Sequence, residues 1–320
     1  MSDSATLNEI VMKTSDVRPI ELIINASSGR SDSSDREHEL IKLFAEHGIE
    51  IQLKVAQNGE ELLSFAKNAA EGEASTVIAG GGDGTISAVA GAIAGTDKHL
   101  GVLPLGTLNH FAKDLNIPSD LEGAIAVIAS RHTVEIDVAE VNERIFINNS
   151  SLGLYPEMVR GRERRQRLGF GKWHSLARSA LTVFRRYPLL ATRLKADNKE
   201  IVTRTPFIFI GNNEYEIESF NIGAREHLDR GHLSVYMTRR MGRLALLRIA
   251  LKGVFGGLSQ EKDFLSVMTD EINVDTHRRR VRVALDGEVV MMATPLRYRI
   301  RPGALRVIVP EVQAAPEDAA

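Results

Sequence analysis

Cysteine is absent from this sequence of 320 residues, which excludes a disulfide framework, a thiolate metal site and a cysteine nucleophile. Long apolar runs are absent too, since no window offers the roughly 20 uncharged apolar residues that a membrane-spanning helix needs. The first 17 residues are polar and lack the apolar core of a secretory signal. We therefore expect a cytoplasmic protein without a transmembrane segment, whose association with a membrane would be peripheral.

An excess of charge of one sign is also missing, because the formal net charge is only -2. This balance argues against a dedicated nucleic-acid binder, so no nucleic-acid partner is expected. The nine histidines show no metal-binding spacing. The chain is too long for one ordinary core and suits two domains of about 120–170 residues each.

The first half of the chain alternates strand and helix patterns. Apolar runs predict strands at 20–25, 49–55, 76–79 and 100–105, and amphipathic periodicity predicts helices at 34–47, 60–71, 85–94, 108–115 and 119–130. Such an alternation predicts a mostly parallel sheet with helices on both faces.

The second half changes character near residue 137. Short alternating runs typical of antiparallel strands occur at 134–141, 144–149, 201–211, 232–237, 280–285, 296–300 and 305–309. A long basic helix is predicted at about 156–187 and an amphipathic one at about 242–256. We interpret this half as a β-rich sandwich that meets the α/β half at a cleft.

Glycines fill the junction between the predicted strand at 76–79 and the helix behind it, at Gly80, Gly81, Gly82 and Gly84. Glycine lets backbone amides come close to a ligand, and the helix start adds free N–H groups and a positive dipole end. This arrangement suits a phosphate group. Glycine-rich turns also occur for purely structural reasons, and for the glycines alone that alternative stays open.

Asp83 lies inside this glycine cluster. A carboxylate beside a phosphate is electrostatically unfavourable unless a cation lies between them, and Mg²⁺ is that cation in phosphoryl transfer. The loop matches neither the G-x-x-x-x-G-K-S/T pattern nor the G-x-G-x-x-G pattern. It is therefore predicted to be neither an ordinary P-loop nor an ordinary dinucleotide site.

Four segments together resemble the bacterial diacylglycerol-kinase-like lipid kinases, a broad family that also includes sphingosine and ceramide kinases. They are residues 23–29 (IINASSG), 81–85 (GGDGT), 104–113 (PLGTLNHFAK) and 285–288 (LDGE). The resemblance covers about residues 18–310, with the motifs in the family's order. The 81–85 motif alone is shared with NAD kinases. Residues 286–288 alone would predict a hairpin turn.

The resemblance implies an ATP- and Mg²⁺-dependent kinase with the nucleotide in the interdomain cleft. It implies an α/β nucleotide-binding domain at 18–136, completed by a return strand at about 303–312, and a β-sandwich domain for the lipid at 137–302. The implied nucleotide contacts are Asn25, Gly80, Gly81, Gly82, Asp83, Gly84, Thr85, Thr107, Asn109 and Lys113. Asp83 and Asp137 are the implied metal ligands. Asp286 and Glu288 would deprotonate the acceptor hydroxyl, with Asp83 as the third catalytic residue.

Two alternatives compete with a lipid kinase. An NAD kinase would share the glycine loop, but the 104–113 segment disfavours it. A degenerate nucleotide-binding regulator is suggested by His110, where many members have Asp, and by Arg230, where some have a metal-binding Asp. Retention of Asp83 and Asp286 speaks against this second alternative.

Residues 160–186 carry nine Lys or Arg residues and a single acid, Glu163. Apolar residues are interleaved with them, among them Leu168, Phe170 and Trp173. Such a stretch suits an anionic membrane surface, and a solvated basic helix is the alternative. The expected partner is a lipid substrate at that surface, in phospholipid biosynthesis, while a homodimer stays open.

Overall fold

The computed structural model describes residues 19–26, 33–153, 190–196, 199–215, 217–218, 221–222, 225–237 and 265–311. The helices predicted at 156–187 and 242–256, and with them the basic stretch 160–186, lie outside the described residues. Within the described part, no helix is both long and apolar enough to cross a membrane.

The first half alternates strands and helices, as the sequence predicts. Its elements are β1 (Ile20–Asn25), α1 (Ser33–Glu46), β2 (Ile51–Ala56), α2 (Gly59–Glu71), β3 (Thr76–Gly81), α3 (Asp83–Ile93), β4 (His99–Pro104), α4 (His110–Asp114) and α5 (Leu121–Ser130). The strands lie in the order β2-β1-β3-β4. All three pairs are parallel.

The local sequence explains these elements. All six residues of β3 are buried, as expected for a central parallel strand covered on both faces. Helix α2 begins where the Asn58 side chain accepts the Glu61 N–H at 2.9 Å, and its buried side is made of Leu62, Ala66 and Ala69. The apolar sides of the helices cover the sheet and form the first core.

Helix α3 begins at Asp83, two residues earlier than predicted. Gly82 is its N-cap, and the Gly82 carbonyl accepts the Thr85 and Ile86 N–H groups at 2.9 and 3.1 Å. The first turn contains no large apolar residue, so the hydrophobic periodicity could not reveal it. Asp83 therefore lies in the first helical turn rather than in a loop.

The second half is a β-sandwich, which confirms the predicted fold class. Its strands are β5 (Thr133–Val141), β6 (Arg144–Phe146), β7 (Asn149–Gly153), β8 (Leu190–Ala196), β9 (Lys199–Thr205), β10 (Phe207–Asn212), β11 (Ile217–Glu218), β12 (Asn221–Ile222), β13 (Leu233–Met237), β14 (Leu265–Thr269), β15 (Glu271–Thr276), β16 (Arg280–Leu285), β17 (Glu288–Ala293) and β18 (Leu296–Ile308). One layer has the order β14-β13-β10-β7-β16-β17. A second core lies between this layer and the sandwich part of the other sheet.

Strand β18 joins the two halves, and it corrects the prediction of two separate strands at 296–300 and 305–309. It pairs antiparallel with β15 and β5 and parallel with β4. The register shifts between Arg301 and Leu305, where Gly303 has φ +58°. Because Pro302 lacks an N–H and Gly303 tolerates positive φ, the strand can bulge there and still continue.

Candidate active site

Neighbouring parallel strands end at one edge of the sheet. β1 ends at Asn25, β3 at Gly81 and β4 at Pro104, and β3 lies between the other two. The glycine turn after β3 and the 105–109 turn after β4 therefore lie side by side. In open α/β sheets, ligands bind at the carboxyl ends of the strands.

The two turns pack backbone against backbone. A Cβ atom on Gly106 would lie 2.5 Å from Gly82 Cα and 2.6 Å from Asn109 Oδ1. The Leu105 N–H also donates to the Gly81 carbonyl at 3.0 Å. Glycine at 106 is thus required for the approach of the turns, whatever they bind, whereas a Cβ on Gly82 would lie at an ordinary 3.5 Å from Gly106 Cα.

The start of α3 is open to an anion. Its N-cap, Gly82, has no side chain to occupy the first backbone N–H groups, and Gly84 in the first turn is exposed. Thr85, by contrast, is buried, and a Cβ on Gly81 would lie 2.5 Å from its Oγ1 atom. The helix N-terminus can hold a phosphate, whereas Thr85 is packed against the strand end.

Asp83 links the two turns. Its Oδ1 atom accepts the Phe111 N–H at 3.1 Å, so this carboxylate caps α4 from a different helix. The charge lies beside the start of α3, as the sequence predicted. The contact also gives Asp83 a structural role as the cap of α4. This role can be separated experimentally from the predicted role in holding Mg²⁺.

Asn109 holds the turn before α4 together. It has a left-handed backbone (φ 49°), and its Nδ2 atom donates to the carbonyls of Pro104 at 3.2 Å and Gly106 at 2.9 Å. Its buried Oδ1 atom has no hydrogen-bond partner among the described residues. A ligand at this edge of the sheet could donate to that oxygen.

The remaining predicted nucleotide contacts lie at the surface of this edge. Thr107 and Lys113 are exposed, as is His110, while Asn25 is half-buried at the end of β1. Their positions are those of side chains that could reach a ligand over the strand ends. Because His110 is exposed, a histidine where many family members have Asp does not disturb the packing of the interior.

Asp286 occupies a two-residue hairpin turn between β16 and β17. Asp286 and Gly287 both have positive φ, 46° and 90°, and Leu285 pairs with Glu288. This is the hairpin geometry that Asp-Gly favours. The hairpin turn that residues 286–288 alone predict and the functional site that the family resemblance implies are therefore formed by the same residues.

The Asp286 carboxylate is held by four donors. Oδ1 accepts the N–H groups of Asn148 at 2.9 Å and Asn149 at 3.0 Å, and Oδ2 accepts the N–H of Ile147 at 2.9 Å. The fourth donor is the Ser87 hydroxyl, which also binds Oδ2. Since Ser87 belongs to α3, this bond brings the hairpin of the sandwich onto the glycine-turn helix.

Glu288, like Asp286, lies beside helix α3. A Cβ on Gly84 would be 4.0 Å from Glu288 Oε1, so this exposed carboxylate lies beside the first turn of α3. The structure thus brings together the 81–85 motif and both carboxylates of the 286–288 motif.

Burial raises the pKa of the Asp286 carboxyl above its usual range, and the hydrogen bonds from Ser87 and residues 147–149 oppose this only in part. A carboxylate with a raised pKa is a stronger base than an exposed one. This is the direction of shift that proton abstraction from a hydroxyl requires.

Sequence reasoning missed Arg225, a residue that is only 2% exposed. Its guanidinium group binds Asp114 at the end of α4 and reaches residues 147 and 148, which hold Asp286. The nearby sequence gives no sign of this burial.

Asp137 is placed differently from the other predicted metal ligand, Asp83. It is 1% exposed, and its oxygens accept the Gly303 N–H at 2.9 Å and the Gly231 N–H at 2.7 Å. These bonds tie β5 to the bulge of β18 and to the loop before β13. They give Asp137 a structural role, and its role as a metal ligand stays a prediction. Across the described ranges, no group of three or more His, Asp or Glu side chains is arranged to hold a metal ion.

In this α/β domain the glycine turn faces a carboxylate hairpin of the β-sandwich, an arrangement that can bring a phosphate group and a general base together. Residues 19–141 match the model of the diacylglycerol kinase catalytic domain. Residues 158–309 match the model of the YegS C-terminal NAD kinase beta sandwich-like domain. The two models cover successive parts of most of the chain, and the chain belongs to the diacylglycerol-kinase-like lipid kinase family.

Relatives support this assignment. The chain is 38% identical over 138 residues to "Probable lipid kinase YegS-like" of Klebsiella pneumoniae (strain 342), covering 42% of this chain and 46% of that protein. It is 39% identical over 137 residues to "Probable lipid kinase YegS" of Escherichia fergusonii, covering 41% and 45%. The matched region thus spans just under half the length of these curated relatives.

Solved structures share the whole fold. A diacylglycerol kinase from Bacillus anthracis str. Sterne superposes with a TM-score of 0.66 at 19% identity, covering 93% of this chain and 98% of that one. At this identity, the likeness concerns the fold.

Proposed function

We propose that this chain transfers the γ-phosphate of ATP to the hydroxyl group of a lipid. The observation that carries the proposal is the meeting of two motifs far apart in sequence: Ser87 on the glycine-turn helix donates to Asp286 on the sandwich hairpin. A phosphate-binding helix start and a carboxylate base are the two parts that phosphate transfer to an alcohol needs.

The proposed step needs no covalent enzyme intermediate. The lipid hydroxyl oxygen attacks the γ-phosphorus, the bond from that phosphorus to the ADP oxygen breaks, and the hydroxyl proton passes to Asp286. The N-terminus of α3 stabilises the phosphate oxygens as charge develops. Glu288, beside the first turn of α3, orients the acceptor on the same side.

Magnesium, when bound, would neutralise charge on the β- and γ-phosphates. Asp83 would hold it, because Mg²⁺ usually takes one or two carboxylates together with phosphate and water, rather than a protein cage. One carboxylate beside the helix start fits that requirement.

The lipid side of the proposal rests on the family and on the sequence. The relatives' names describe lipid kinases, and residues 160–186 carry the basic and apolar composition that suits an anionic membrane surface. We place the reaction at the cytoplasmic surface of such a membrane, in phospholipid biosynthesis.

A single transfer assay tests the proposal. The purified chain is given γ-labelled ATP and Mg²⁺ with one of three acceptors: a membrane lipid extract in anionic vesicles, the same extract in detergent micelles, or NAD. We expect label in the lipid fraction with both lipid preparations. The vesicle rate alone should fall at high salt, because screening weakens membrane attraction.

Other outcomes would overturn the proposal. Label in NAD but not in lipid would identify an NAD kinase. ATP binding without transfer to any acceptor would identify a nucleotide-binding regulator.

Gly84→Ala should weaken ATP binding about tenfold without harming the fold. The nearest atom to the new methyl group would be Glu288 Oε1 at 4.0 Å, so the fold has room for it. The methyl group would crowd a phosphate at the helix start, and losing one hydrogen bond to a charged group costs about 1.5 kcal/mol. Titration calorimetry with ATP measures the affinity.

Gly59→Ala is the matched control. Gly59 is the first residue of α2, and a Cβ there has no atom within 4 Å. Alanine raises helix propensity at both positions, so both variants should melt slightly higher. Equal ATP affinity of the two variants would show that the glycine at 84 serves only the turn.

A further inference from the structure

Arg225 is a buried cation between the nucleotide segment and the proposed base. On one side, its Nε atom donates to Asp114 Oδ2 at 2.8 Å, and Nη2 lies 2.8 Å from the same oxygen. Asp114 is the last residue of α4, and its side chain is 6% exposed. The guanidinium group also lies over the Tyr215 ring, 5.3 Å from its centre.

On the other side, Arg225 binds the segment that holds Asp286. Nη1 donates to the Ile147 carbonyl at 2.7 Å, and Nη2 donates to Asn148 Oδ1 at 2.7 Å. The Ile147 carbonyl belongs to the same peptide group as the Asn148 N–H, and that N–H donates to Asp286 Oδ1 at 2.9 Å. One peptide group therefore connects the cation to the carboxylate.

We propose that Arg225 is a positioning residue for phosphate transfer, acting on Asp286 through the 147–148 peptide group. This inference rests on the proposed function. A cation on the carbonyl oxygen polarises the peptide and strengthens its N–H as a donor. Arg225 thereby fixes the direction of the Asp286 carboxylate, although it touches neither substrate nor phosphate.

The contact also closes a ring around the site. Helix α3 carries Asp83, which caps α4, and α4 ends at Asp114, which binds Arg225. From Arg225 the ring continues through the 147–148 peptide to Asp286, and from Asp286 back to Ser87 on α3. The turn that binds nucleotide and the base that activates the acceptor are thus fixed relative to each other.

Stability alone does not account for this arrangement. A buried ion pair is a weak source of stability, because desolvation offsets much of the attraction. Arg225 uses its planar shape to bind a carboxylate, a backbone carbonyl and a side-chain amide at once, which lysine cannot copy. The arrangement suits a residue that must hold several groups in fixed directions.

The test uses the full chain with two variants. Arg225→Lys keeps the charge and loses the planar donor set. Asp114→Asn combined with Arg225→Met removes both charges, so neither is left unpaired in the interior. Transfer is measured with dioctanoylglycerol in detergent micelles, with Mg²⁺-ATP. We expect both variants to lower kcat by about 10²-fold, the scale of a misplaced catalytic group, with a smaller change in KM for ATP.

The pH dependence separates positioning from mere folding. Within the part of the chain that the structure describes, Arg225 and Tyr215 interact electrostatically with Asp286, Asp114 binds Arg225 on its far side, and Glu288 follows Asp286 in the same hairpin. The double variant also removes the Asp114 anion, but Arg225 is the charge that contacts the 147–148 peptide group. Loss of this cation should therefore dominate, disfavour ionised Asp286 and move the acid limb of kcat/KM to higher pH. The ¹³C carboxyl resonance of Asp286, assigned by its loss in Asp286→Asn, should titrate at higher pH by the same shift.

Arg299→Met is the control. Arg299 is 61% exposed and pairs with Glu140 of the neighbouring strand β5, so its loss should move neither the rate nor the titration. Unchanged kcat and an unchanged Asp286 titration in the Arg225 variants would overturn the inference. If the wild type transfers no phosphate to lipid, the proposed function fails, whereas the ¹³C titration still decides whether Arg225 acts on Asp286.

Discussion

Asp286→Asn should lower phosphate transfer to lipid by about 10²–10⁴-fold, the usual contribution of a positioned general base. A neutral amide cannot take the proton of the acceptor hydroxyl. ATP should still bind, because the proposed phosphate site lies at the turns after β3 and β4, while Asp286 belongs to the sandwich hairpin. Titration calorimetry with ATP, run beside the transfer assay, separates the two effects.

The raised pKa of Asp286 gives this prediction a pH signature. Transfer should be lost as the pH falls through the folded-state pKa, which lies above the usual range of an aspartate. The contribution of Asp286 to the stability of the fold changes with pH in the opposite direction to activity. A folded-state pKa above the unfolded value means that protonation of this group favours the folded state, and that contribution is lost as the pH rises. Protonation of Asp286 therefore stabilises the folded state over the acidic window in which activity disappears.

Stability must be checked in the same variant. The asparagine amide can accept on one side only, so one of the N–H groups of residues 147–149 loses its acceptor, at a cost of about 1–3 kcal/mol. Asp120→Ala is a control of similar cost, because Asp120 caps α5 through the Gly123 N–H at 2.8 Å. It should melt lower and keep full activity. Loss of ATP binding in Asp286→Asn would instead place Asp286 in the nucleotide site.

The α/β half could be predicted from the sequence because its signals are local. A fully apolar run such as β3 and a periodic helix such as α2 show their burial within a few residues. β18 was predicted as two strands, since Pro302 and Gly303 resemble a break, and only the pairing with β5 across the bulge shows that the strand continues. Strands β8, β14, β15 and β17 were missed, although β15 alternates polar residues with the buried Ile272 and Val274. Each of the four is only five to seven residues long and contains exposed positions, so its pattern is short.

The candidate site likewise contains residues that local sequence motifs predict and residues that they do not. Asp83 and Asp286 could be predicted because each belongs to a short motif that resembles a known family. Ser87 and Arg225 belong to no such motif, and their partners are 199 and 111 residues away in sequence. Contacts of that range are set by how the halves meet, which no local pattern contains.

Asp137 has contacts that the sequence did not reveal. The family resemblance implied a metal ligand there, and in the structure both oxygens accept backbone N–H groups of the glycines at 231 and 303. A carboxylate that satisfies buried amides and one that binds a cation look alike in a sequence. Only the identity of the neighbours distinguishes them.

Asp83→Asn should separate the two roles of Asp83, because asparagine keeps an oxygen that can accept the Phe111 N–H and so preserves the cap of α4. Melting temperature should therefore stay near that of the wild type. Turnover should fall by about 10²–10³-fold, the scale of losing one electrostatic contact in the transition state, because a neutral amide binds Mg²⁺ poorly. Raising the Mg²⁺ concentration should restore part of the rate.

Asp83→Ala completes the comparison, because alanine removes the cap together with the charge. It should lose about 1 kcal/mol of stability in addition to the same loss of turnover. If Asp83 served α4 alone, Asp83→Asn would work at nearly the wild-type rate and only Asp83→Ala would be impaired. Thermal unfolding and Mg²⁺-dependent turnover of the two variants, measured side by side, therefore decide whether the carboxylate in the glycine turn is present for the helix that it caps or for the cation that accompanies ATP.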